Sequence, residues 1–76
     1  MTDSSTAVRS RILELCRQRH ITINRLATLS GVTQSTLNNI VSGGNNIAKV
    51  GTIKKLCDLL DITLRDFFNV PAFDDL

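Results

Sequence analysis

One local pattern, an isoleucine or valine followed directly by threonine, occurs three times in this 76-residue chain. In every copy a second apolar residue lies five positions after the first. Threonine is a good N-cap, because its hydroxyl accepts a hydrogen bond from a free N–H group in the first turn of a helix. The two apolar residues then occupy the positions of a hydrophobic staple. The pattern therefore predicts three helix starts: Ile21-Thr22 with Leu26, Val32-Thr33 with Leu37, and Ile62-Thr63 with Phe67.

Apolar residues at helical spacing fill the rest of the chain and predict an all-α fold of five short helices. The predicted helices span residues 7–19, 23–29, 34–42, 50–60 and 64–68. The side chains expected in the core are Val8, Ile12, Leu15 and Cys16, then Ile23, Leu26, Ala27 and Leu29, then Leu37, Ile40 and Val41, and finally Ile53, Leu56, Cys57 and Leu60. We divide the chain into a flexible N-terminus (1–6), one helical domain (7–69) and a C-terminal tail (70–76).

Gly31 lies between the second and third predicted helices, two residues before the Thr33 cap. A chain that turns sharply at the end of a helix needs a left-handed residue, and glycine takes a positive φ without steric cost. Ala27, four residues earlier, is small enough to let the two helices approach closely. The segment therefore predicts a helix, a tight turn and a second helix that crosses the first at a large angle.

The composition argues against an enzyme and against a membrane protein. The chain has no Trp, no Tyr and three Phe, so an aliphatic core is expected, which suits helix packing better than a β-sandwich. Cys16 and Cys57 lie on apolar helix faces, and we expect two buried free thiols rather than a disulfide or a metal site. No apolar run approaches the roughly 20 residues of a membrane span, and no signal peptide opens the chain, which predicts a soluble intracellular protein. No catalytic triad, carboxylate pair, metal-ligand cluster or phosphate-binding loop is visible, so we expect no catalysis, no cofactor and no metal.

Charge is distributed unevenly along the chain, although the net charge is only +2. Every acidic residue except Asp3 and Glu14 lies at or beyond Asp58, whereas five arginines lie within the first 25 residues. A basic front and an acidic tail predict an anionic partner on one side of the domain. We interpret His20 as a favourable charge at the end of the first helix. The side chains interpreted as solubilising charges are Arg9, Arg11, Lys54 and Lys55.

Small and apolar residues recur at fixed offsets between residues 23 and 42: Leu26, Ala27, Gly31, Val32, Leu37 and Ile40. This arrangement resembles the helix-turn-helix of the Cro/C1-type (Xre) family of phage and bacterial repressors, and the likeness extends over residues 8–68. The resemblance implies a compact lambda-repressor-like bundle in a cytoplasmic protein of a bacterium or phage. Its second and third helices would form the helix-turn-helix, with the third helix in the DNA major groove. The chain departs from the family at Lys49, where a Ser or Thr usually caps the fourth helix, and at Ile23, where a glutamine often contacts phosphate.

Uncharged polar side chains lie opposite the apolar face of the third helix, and the predicted base-reading residues are Gln34, Ser35, Asn38 and Asn39. Asn and Gln amides can pair bidentately with adenine N6 and N7, and the Ser hydroxyl bonds to several kinds of base-edge group. Because this helix has no Arg or Lys to bind guanine, we expect a half-site weighted towards A·T pairs. The alternative is a merely solvated helix face, although such a face usually carries Lys and Glu.

Contacts with the DNA backbone are expected around the starts of the second and third helices. Free N–H groups and the positive end of the helix dipole favour phosphate there, and hydroxyl, amide and cationic side chains add further donors. The residues predicted for this role are Thr22, Asn24, Arg25, Thr33, Thr36, Ser42 and Lys49, and the family resemblance implies the same role for Asn45 and Asn46 in the loop after the third helix.

The C-terminal tail carries more apolar residues than one short helix can bury. Phe68, Val70 and Phe73 either fold back on the monomer or form a symmetric dimer contact. The family resemblance implies a homodimer on a two-fold operator in double-stranded DNA, with half-sites about one helical turn apart. The sequence therefore predicts a sequence-specific transcriptional regulator, a repressor, with no small-molecule ligand evident. The alternative is a helix-turn-helix antitoxin or adaptor whose tail binds a partner protein.

Overall fold

Six helices follow one another in the computed structural model, which describes residues 4–42 and 48–74. They are α1 (Ser4–Arg19), α2 (Ile23–Ser30), α3 (Gln34–Val41), α4 (Val50–Leu60), α5 (Leu64–Phe68) and α6 (Pro71–Asp74). No strand occurs in these two ranges, and the predicted all-α fold is confirmed. Helix α2 packs against both α3 and α4, while α1 packs against α3 and α6. None of the helices described is long and apolar enough to span a membrane.

The three predicted threonine caps are confirmed. Each hydroxyl oxygen accepts a hydrogen bond from the backbone N–H three residues later: Thr22 from Arg25 at 3.0 Å, Thr33 from Thr36 at 3.2 Å, and Thr63 from Asp66 at 2.9 Å. Asp66 in turn accepts the Thr63 N–H through Oδ2, at 3.4 Å, which completes a capping box at the start of α5. Helix α4 begins after Lys49 without a side-chain cap, in agreement with the departure from the family at that position.

Helices α1, α2 and α4 end in the same kind of turn. One residue in each turn has a positive φ: His20 at 56°, Gly31 at 80° and Asp61 at 57°. The next residue donates its N–H to the carbonyl five residues earlier: Ile21 to Cys16 at 3.1 Å, Val32 to Ala27 at 3.1 Å, and Ile62 to Cys57 at 3.0 Å. These bonds satisfy carbonyl groups that a helix end leaves free. The left-handed conformation predicted for Gly31 is confirmed. His20 and Asp61 adopt it as well, although neither is a glycine and the sequence did not predict it.

Aliphatic side chains of α1 to α4, together with Phe67 of α5, form the core. Leu26, Leu37 and Phe67, the second apolar residues of the three cap patterns, are fully buried. The other buried residues are Ala7, Val8, Ile12, Leu15, Cys16, Ala27, Val32, Ile40, Ile53, Leu56, Cys57 and Leu60. The inward placement predicted for Leu29 is wrong, because its side chain is 48% exposed. It lies roughly 110° around α2 from the direction that Leu26 and Ala27 share, at 100° per residue.

The structure differs from the sequence prediction at both ends of the chain. Helix α1 begins at Ser4, ahead of the predicted start at Ala7. In the predicted tail, residues 71–74 form α6, which packs against α1. Proline suits the first position of a helix, because its ring presets φ and its missing N–H would have no helical partner. Pro71 thus begins a helix rather than only ending the one before it.

Three phenylalanine rings pack together in the α5–α6 segment. The ring centroid of Phe67 lies 5.0 Å from that of Phe68 and 6.2 Å from that of Phe73. Phe68 and Phe73 are 4.9 Å apart and meet edge to face, an arrangement that aromatic quadrupoles favour. Phe73 also packs against the buried core.

Arg11 connects α1 to the end of α5. Its Nε donates to the carbonyl of Phe67 at 2.8 Å, and its Nη2 donates to the carbonyl of Asp66 at 2.9 Å. The remaining nitrogen, Nη1, pairs with Glu14. A guanidinium group carries several donors in one plane and can therefore satisfy two carbonyl groups of a helix end together. The interpretation of Arg11 as a solubilising charge is wrong, since its side chain is only 11% exposed.

Candidate nucleic-acid interface

Helix α3 has one face in the core and one in solvent. Leu37 and Ile40 are buried, whereas the side chains predicted to read bases are all exposed: Gln34, Ser35, Asn38 and Asn39. The Thr33 cap fixes the first turn of α3, where Gln34 and Ser35 lie. One rigid, exposed helix face therefore carries amide and hydroxyl groups that offer both hydrogen-bond donors and acceptors.

Two of these side chains form hydrogen bonds with α2. Gln34 donates through Nε2 to the Thr28 hydroxyl at 3.2 Å, and Asn38 donates through Nδ2 to the side-chain oxygen of Asn24 at 3.5 Å. Asn24 and Thr28 lie one turn apart on α2, as Gln34 and Asn38 do on α3. The polar faces of the two helices thus form one surface. We call it the α2–α3 surface, made of Asn24, Thr28, Gln34, Ser35, Asn38 and Asn39.

Within the described residues, the side-chain donors and acceptors of Ser35 and Asn39 are available. Neither side chain makes a hydrogen bond to another residue within ranges 4–42 and 48–74, although the backbone oxygen of Asn39 accepts the Ser42 hydroxyl at 3.3 Å. The single hydroxyl proton of Ser42 is therefore used within α3. A contact between Ser42 and a phosphate would require this hydroxyl to rotate.

The capping threonines of α2 and α3 differ in whether their own hydroxyl proton is left for an external acceptor. Thr22 accepts the N–H of Arg25, so its own hydroxyl proton is left for an external acceptor. Thr33 likewise accepts the N–H of Thr36, but it also donates its hydroxyl proton to Oγ1 of Thr36 at 2.7 Å. At the start of α3 the proton that can reach a phosphate therefore belongs to Thr36.

Two cationic side chains, Arg25 in α2 and Lys49 before α4, are exposed. Neither forms an ion pair with any residue that the structure describes. Residues 15–57 contain no Asp or Glu, so no acidic side chain of the helix-turn-helix itself repels phosphate. Asn45 and Asn46, which are also predicted to contact phosphate, lie outside the described residues.

The two cysteines are buried free thiols, as predicted. Burial raises the pKa of both Cys16 and Cys57, which keeps the thiols protonated near neutral pH. The thiolate is the form that binds metals and attacks electrophiles, so neither residue is prepared for such chemistry. In the described part of the chain, no group of three or more His, Cys, Asp or Glu side chains is placed to hold a metal ion.

The residues predicted for a dimer contact are only partly available at the surface. Phe68 is 38% exposed, whereas Val70 and Phe73 are half-buried. Because Phe73 packs against the rings of Phe67 and Phe68, a second molecule would meet mainly the outer edge of Phe68.

Thr28 belongs to the α2–α3 surface although no sequence motif singles it out. The available signal is positional. Thr28 lies one helical turn after Asn24, on the same face of α2, and it is separated from Gln34 only by the Gly31 turn. A sharp turn between two helices brings such residues together, so the pair could have been found by asking which polar residues face each other across it.

The family described as Cro/C1-type HTH DNA-binding domain matches residues 11–72 of the chain. Two curated proteins of Bacillus subtilis (strain 168) are similar in sequence. The uncharacterized HTH-type transcriptional regulator RghRB is 38% identical in an alignment of 66 residues, which covers 82% of this chain and 48% of that protein. The HTH-type transcriptional repressor RghR is 42% identical over 48 residues, which are 63% of this chain and 36% of that protein. The chain therefore spans less than half the length of these two relatives.

One crystal structure, that of the prophage Lp1 protein 11, is similar over its full length. The alignment covers 100% of both chains, with a TM-score of 0.87 and 37% sequence identity. The shared fold includes α5 and α6 as well as the helix-turn-helix, because no part of either chain is left out.

Proposed function

Because this chain belongs to the Cro/C1-type helix-turn-helix DNA-binding family, we propose that it is a transcriptional regulator whose α3 enters the major groove of double-stranded DNA. The exposed, uncharged polar face of α3 carries the proposal. The base-reading groups are the amides of Gln34, Asn38 and Asn39 and the hydroxyl of Ser35. Since α3 has no Arg or Lys to bind guanine, the half-site is weighted towards A·T pairs.

Hydroxyl, amide and cationic groups around α3 position the domain on the DNA backbone. In this proposal the residues that contact phosphate are Thr22, Asn24, Arg25, Thr33, Thr36, Ser42, Asn45, Asn46 and Lys49, and the Ser42 hydroxyl rotates away from the Asn39 carbonyl to do so. The exposed Arg25 and Lys49 and the outward hydroxyl proton of Thr36 support this assignment. Phosphate contacts release counterions, so binding weakens as salt rises.

The regulator acts as a homodimer on a two-fold operator, in the cytoplasm of a bacterium. One α3 reads only a few base pairs, and two copies one helical turn apart read a site long enough to be specific. Repression follows if the bound dimer occupies DNA that RNA polymerase needs. The name of RghR as a repressor and the prophage origin of the similar structure support this role.

Selection of bound sequences from a random duplex library, at low and then physiological salt, tests the proposal. We expect a two-fold motif with A·T pairs in each half, and the spacing of the halves measures the dimer geometry. The double variant Gln34→Ala, Asn39→Ala should lose the motif and retain salt-sensitive binding to any DNA. If the double variant selects the same motif, these two residues do not read bases.

The second candidate function is that of a helix-turn-helix antitoxin or adaptor whose C-terminal segment binds another protein. The partly exposed ring of Phe68 favours it. Under this function the library yields no motif, binding vanishes as salt rises, and a partner protein co-purifies with the chain. If the Phe68→Ala variant has an unchanged solution mass, Phe68 is not part of a dimer contact. Its exposed ring would then be available to a different partner protein.

A further inference from the structure

We infer that Thr28 is a positioning residue that orients the Gln34 amide so that Gln34 selects adenine. The inference rests on the proposed function, because it concerns how α3 reads a base. Thr28 lies on α2 and touches the base-reading face through one bond, the one it accepts from Gln34 at 3.2 Å. The direct route from Thr28 to base preference is therefore through Gln34.

The hydroxyl of Thr28 has a single proton, and that proton is already used. Thr28 donates it to the backbone carbonyl of Asn24, one turn earlier, at 3.0 Å. Towards Gln34 the Thr28 oxygen then acts only as an acceptor. The Gln34 atom that faces it must be the amide nitrogen Nε2 and not the oxygen Oε1, so the hydrogen-bond network assigns the orientation of the amide.

The opposite orientation of the Gln34 amide loses a hydrogen bond. It places Oε1 against the oxygen of Thr28, where two acceptors meet without a proton between them. Thr28 can donate to Oε1 only if it gives up its bond to the carbonyl of Asn24. Water competes for this exposed pair in the free protein, but the bond strengthens in a DNA groove from which water has been displaced.

The observed orientation leaves Gln34 with one acceptor, Oε1, and one further N–H to offer to DNA. In the major groove adenine presents the N6 donor beside the N7 acceptor, whereas guanine presents two acceptors, O6 and N7. The oriented amide therefore complements adenine, while guanine would bring its O6 against Oε1. Thr28 thus adds discrimination between adenine and guanine without touching either base.

Asn24 stabilises the same arrangement. Its backbone oxygen accepts the Thr28 hydroxyl, and its side-chain oxygen accepts Nδ2 of Asn38. With that oxygen used, the amide nitrogen of Asn24 is left to donate, which suits a phosphate. One helix therefore orients two amides of the other.

The test compares Thr28→Val, which keeps the shape of the side chain without the hydroxyl, with Thr28→Ser, which keeps the hydroxyl. Gln34→Ala identifies the operator position that Gln34 reads, and competition between operators with adenine or guanine there measures the preference. We expect Thr28→Val to lower the preference for adenine about three- to tenfold, the range of one neutral hydrogen bond, and Thr28→Ser to retain it. Preferences at the other positions and affinity for random DNA should stay the same.

A double-mutant cycle distinguishes positioning from other roles of Thr28. In the Gln34→Ala background, Thr28→Val should have no further effect, because the two side chains act as a unit. An equal loss in both backgrounds would overturn the inference, as would a loss spread over every operator position. Either result would mean that Thr28 affects binding by stabilising the fold or by contacting a phosphate. Thermal unfolding of each variant shows whether the protein compared is folded.

Nuclear magnetic resonance of the free protein separates failure of this inference from failure of the proposed function. We expect contacts between the Gln34 side-chain amide protons and Thr28, and slower exchange of one of those protons than in Thr28→Val, which keeps the shape of the side chain but lacks the acceptor. An operator motif without these signals overturns the inference and leaves the function standing. The signals without any operator motif overturn the function, and the assignment to adenine with it.

Discussion

The turns that precede α3 and α5 are alike, but the helices that follow them differ in what they contribute. Each turn has a left-handed residue, Gly31 or Asp61, then an apolar residue and a capping threonine. Each helix then inserts one fully buried side chain, Leu37 in α3 and Phe67 in α5. Beyond that side chain, α3 exposes polar groups, whereas α5 has two carbonyl groups bound by Arg11 and its aromatic rings packed together.

This comparison shows that the local sequence sets where a helix begins, while its remaining side chains decide whether it stabilises the fold or faces a ligand. Within the described parts of the chain, the polar side chains of α3 bond to the Thr33 cap, to α2 or to nothing. Around α5, by contrast, the guanidinium of Arg11 joins the end of that helix to α1, and α6 packs against α1. Substitutions in the two regions should therefore separate stability from DNA recognition.

The largest effect is expected for Phe67→Ala. This side chain is fully buried and packs against two other rings, and truncation of a buried Phe costs about 3–5 kcal/mol of unfolding free energy. Thermal unfolding followed by circular dichroism measures the loss, and the milder Phe67→Leu keeps the comparison possible if the alanine variant does not fold. The equivalent Leu37→Ala in α3 should cost about 2–5 kcal/mol, since Leu37 is the fully buried side chain of that helix. A variant of either residue with wild-type stability would contradict the equivalence.

Arg11→Ala should be the next most destabilising change, by about 1.5–3 kcal/mol, the usual range for hydrogen bonds to a charged group. It removes two bonds to the end of α5 while leaving α3 untouched. Lys at this position keeps the charge but lacks the planar set of donors, so Arg11→Lys should recover only part of the loss. The matched control is Lys55→Ala, an exposed change on α4. Equal effects at Arg11 and Lys55 would mean that the two carbonyl bonds contribute nothing measurable.

Replacing Gly31 by alanine should lower the free energy of unfolding, whereas replacing Asp61 by glycine should raise it. Gly31→Ala finds no atom within 4 Å of the new Cβ but must hold a φ of 80°, which costs about 1–2 kcal/mol. Asp61→Gly removes a side chain at a φ of 57° and a negative charge at the C-terminal end of α4, so it should stabilise by about 0.5–1 kcal/mol. Asp61→Asn removes only the charge. It therefore separates the stabilisation that comes from losing the charge from the stabilisation that comes from losing the side chain at a positive φ. Chemical denaturation measures all three variants, and a loss of stability in Asp61→Gly would contradict the argument.

The smallest effect on stability is expected for Asn39→Ala, within about 0.5 kcal/mol of the wild type. The Asn39 side chain is exposed and makes no hydrogen bond to the described residues, so the fold does not use it. If it reads a base, the same change should cost about 1–3 kcal/mol of discrimination at one operator position. Parallel unfolding and operator-binding measurements test this separation. A substantial loss of stability in Asn39→Ala would contradict the claim that the fold does not use this side chain.

Local signals in the sequence predicted most of the fold. The cap patterns placed the starts of α2, α3 and α5, Gly31 predicted its own left-handed conformation, and Lys49 marked the uncapped start of α4. These predictions succeed because each depends on residues within one turn of each other, whose geometry the backbone fixes.

The predictions that failed concern contacts across the chain or weak local preferences. The bonds from Arg11 join residues 55 and 56 positions apart, which no helical period reveals. His and Asp are tolerated in the left-handed region but do not favour it as glycine does. The residue types at positions 20 and 61 therefore do not predict a positive φ. For the candidate site, residue type and spacing predicted which side chains of α3 are exposed. The bond between Thr28 and Gln34 depends on how two helices cross, which the sequence does not state.

The bonds between Arg11 and the end of α5 also set the order in which the chain can fold on the ribosome. Synthesis proceeds at about 5–20 residues per second, so α1 emerges seconds before the carbonyl groups that Arg11 binds. In that interval α1 to α4 can associate, but the core lacks Phe67 and α1 lacks its contact with α6. The nascent chain therefore completes its native packing only when its last helices leave the exit tunnel.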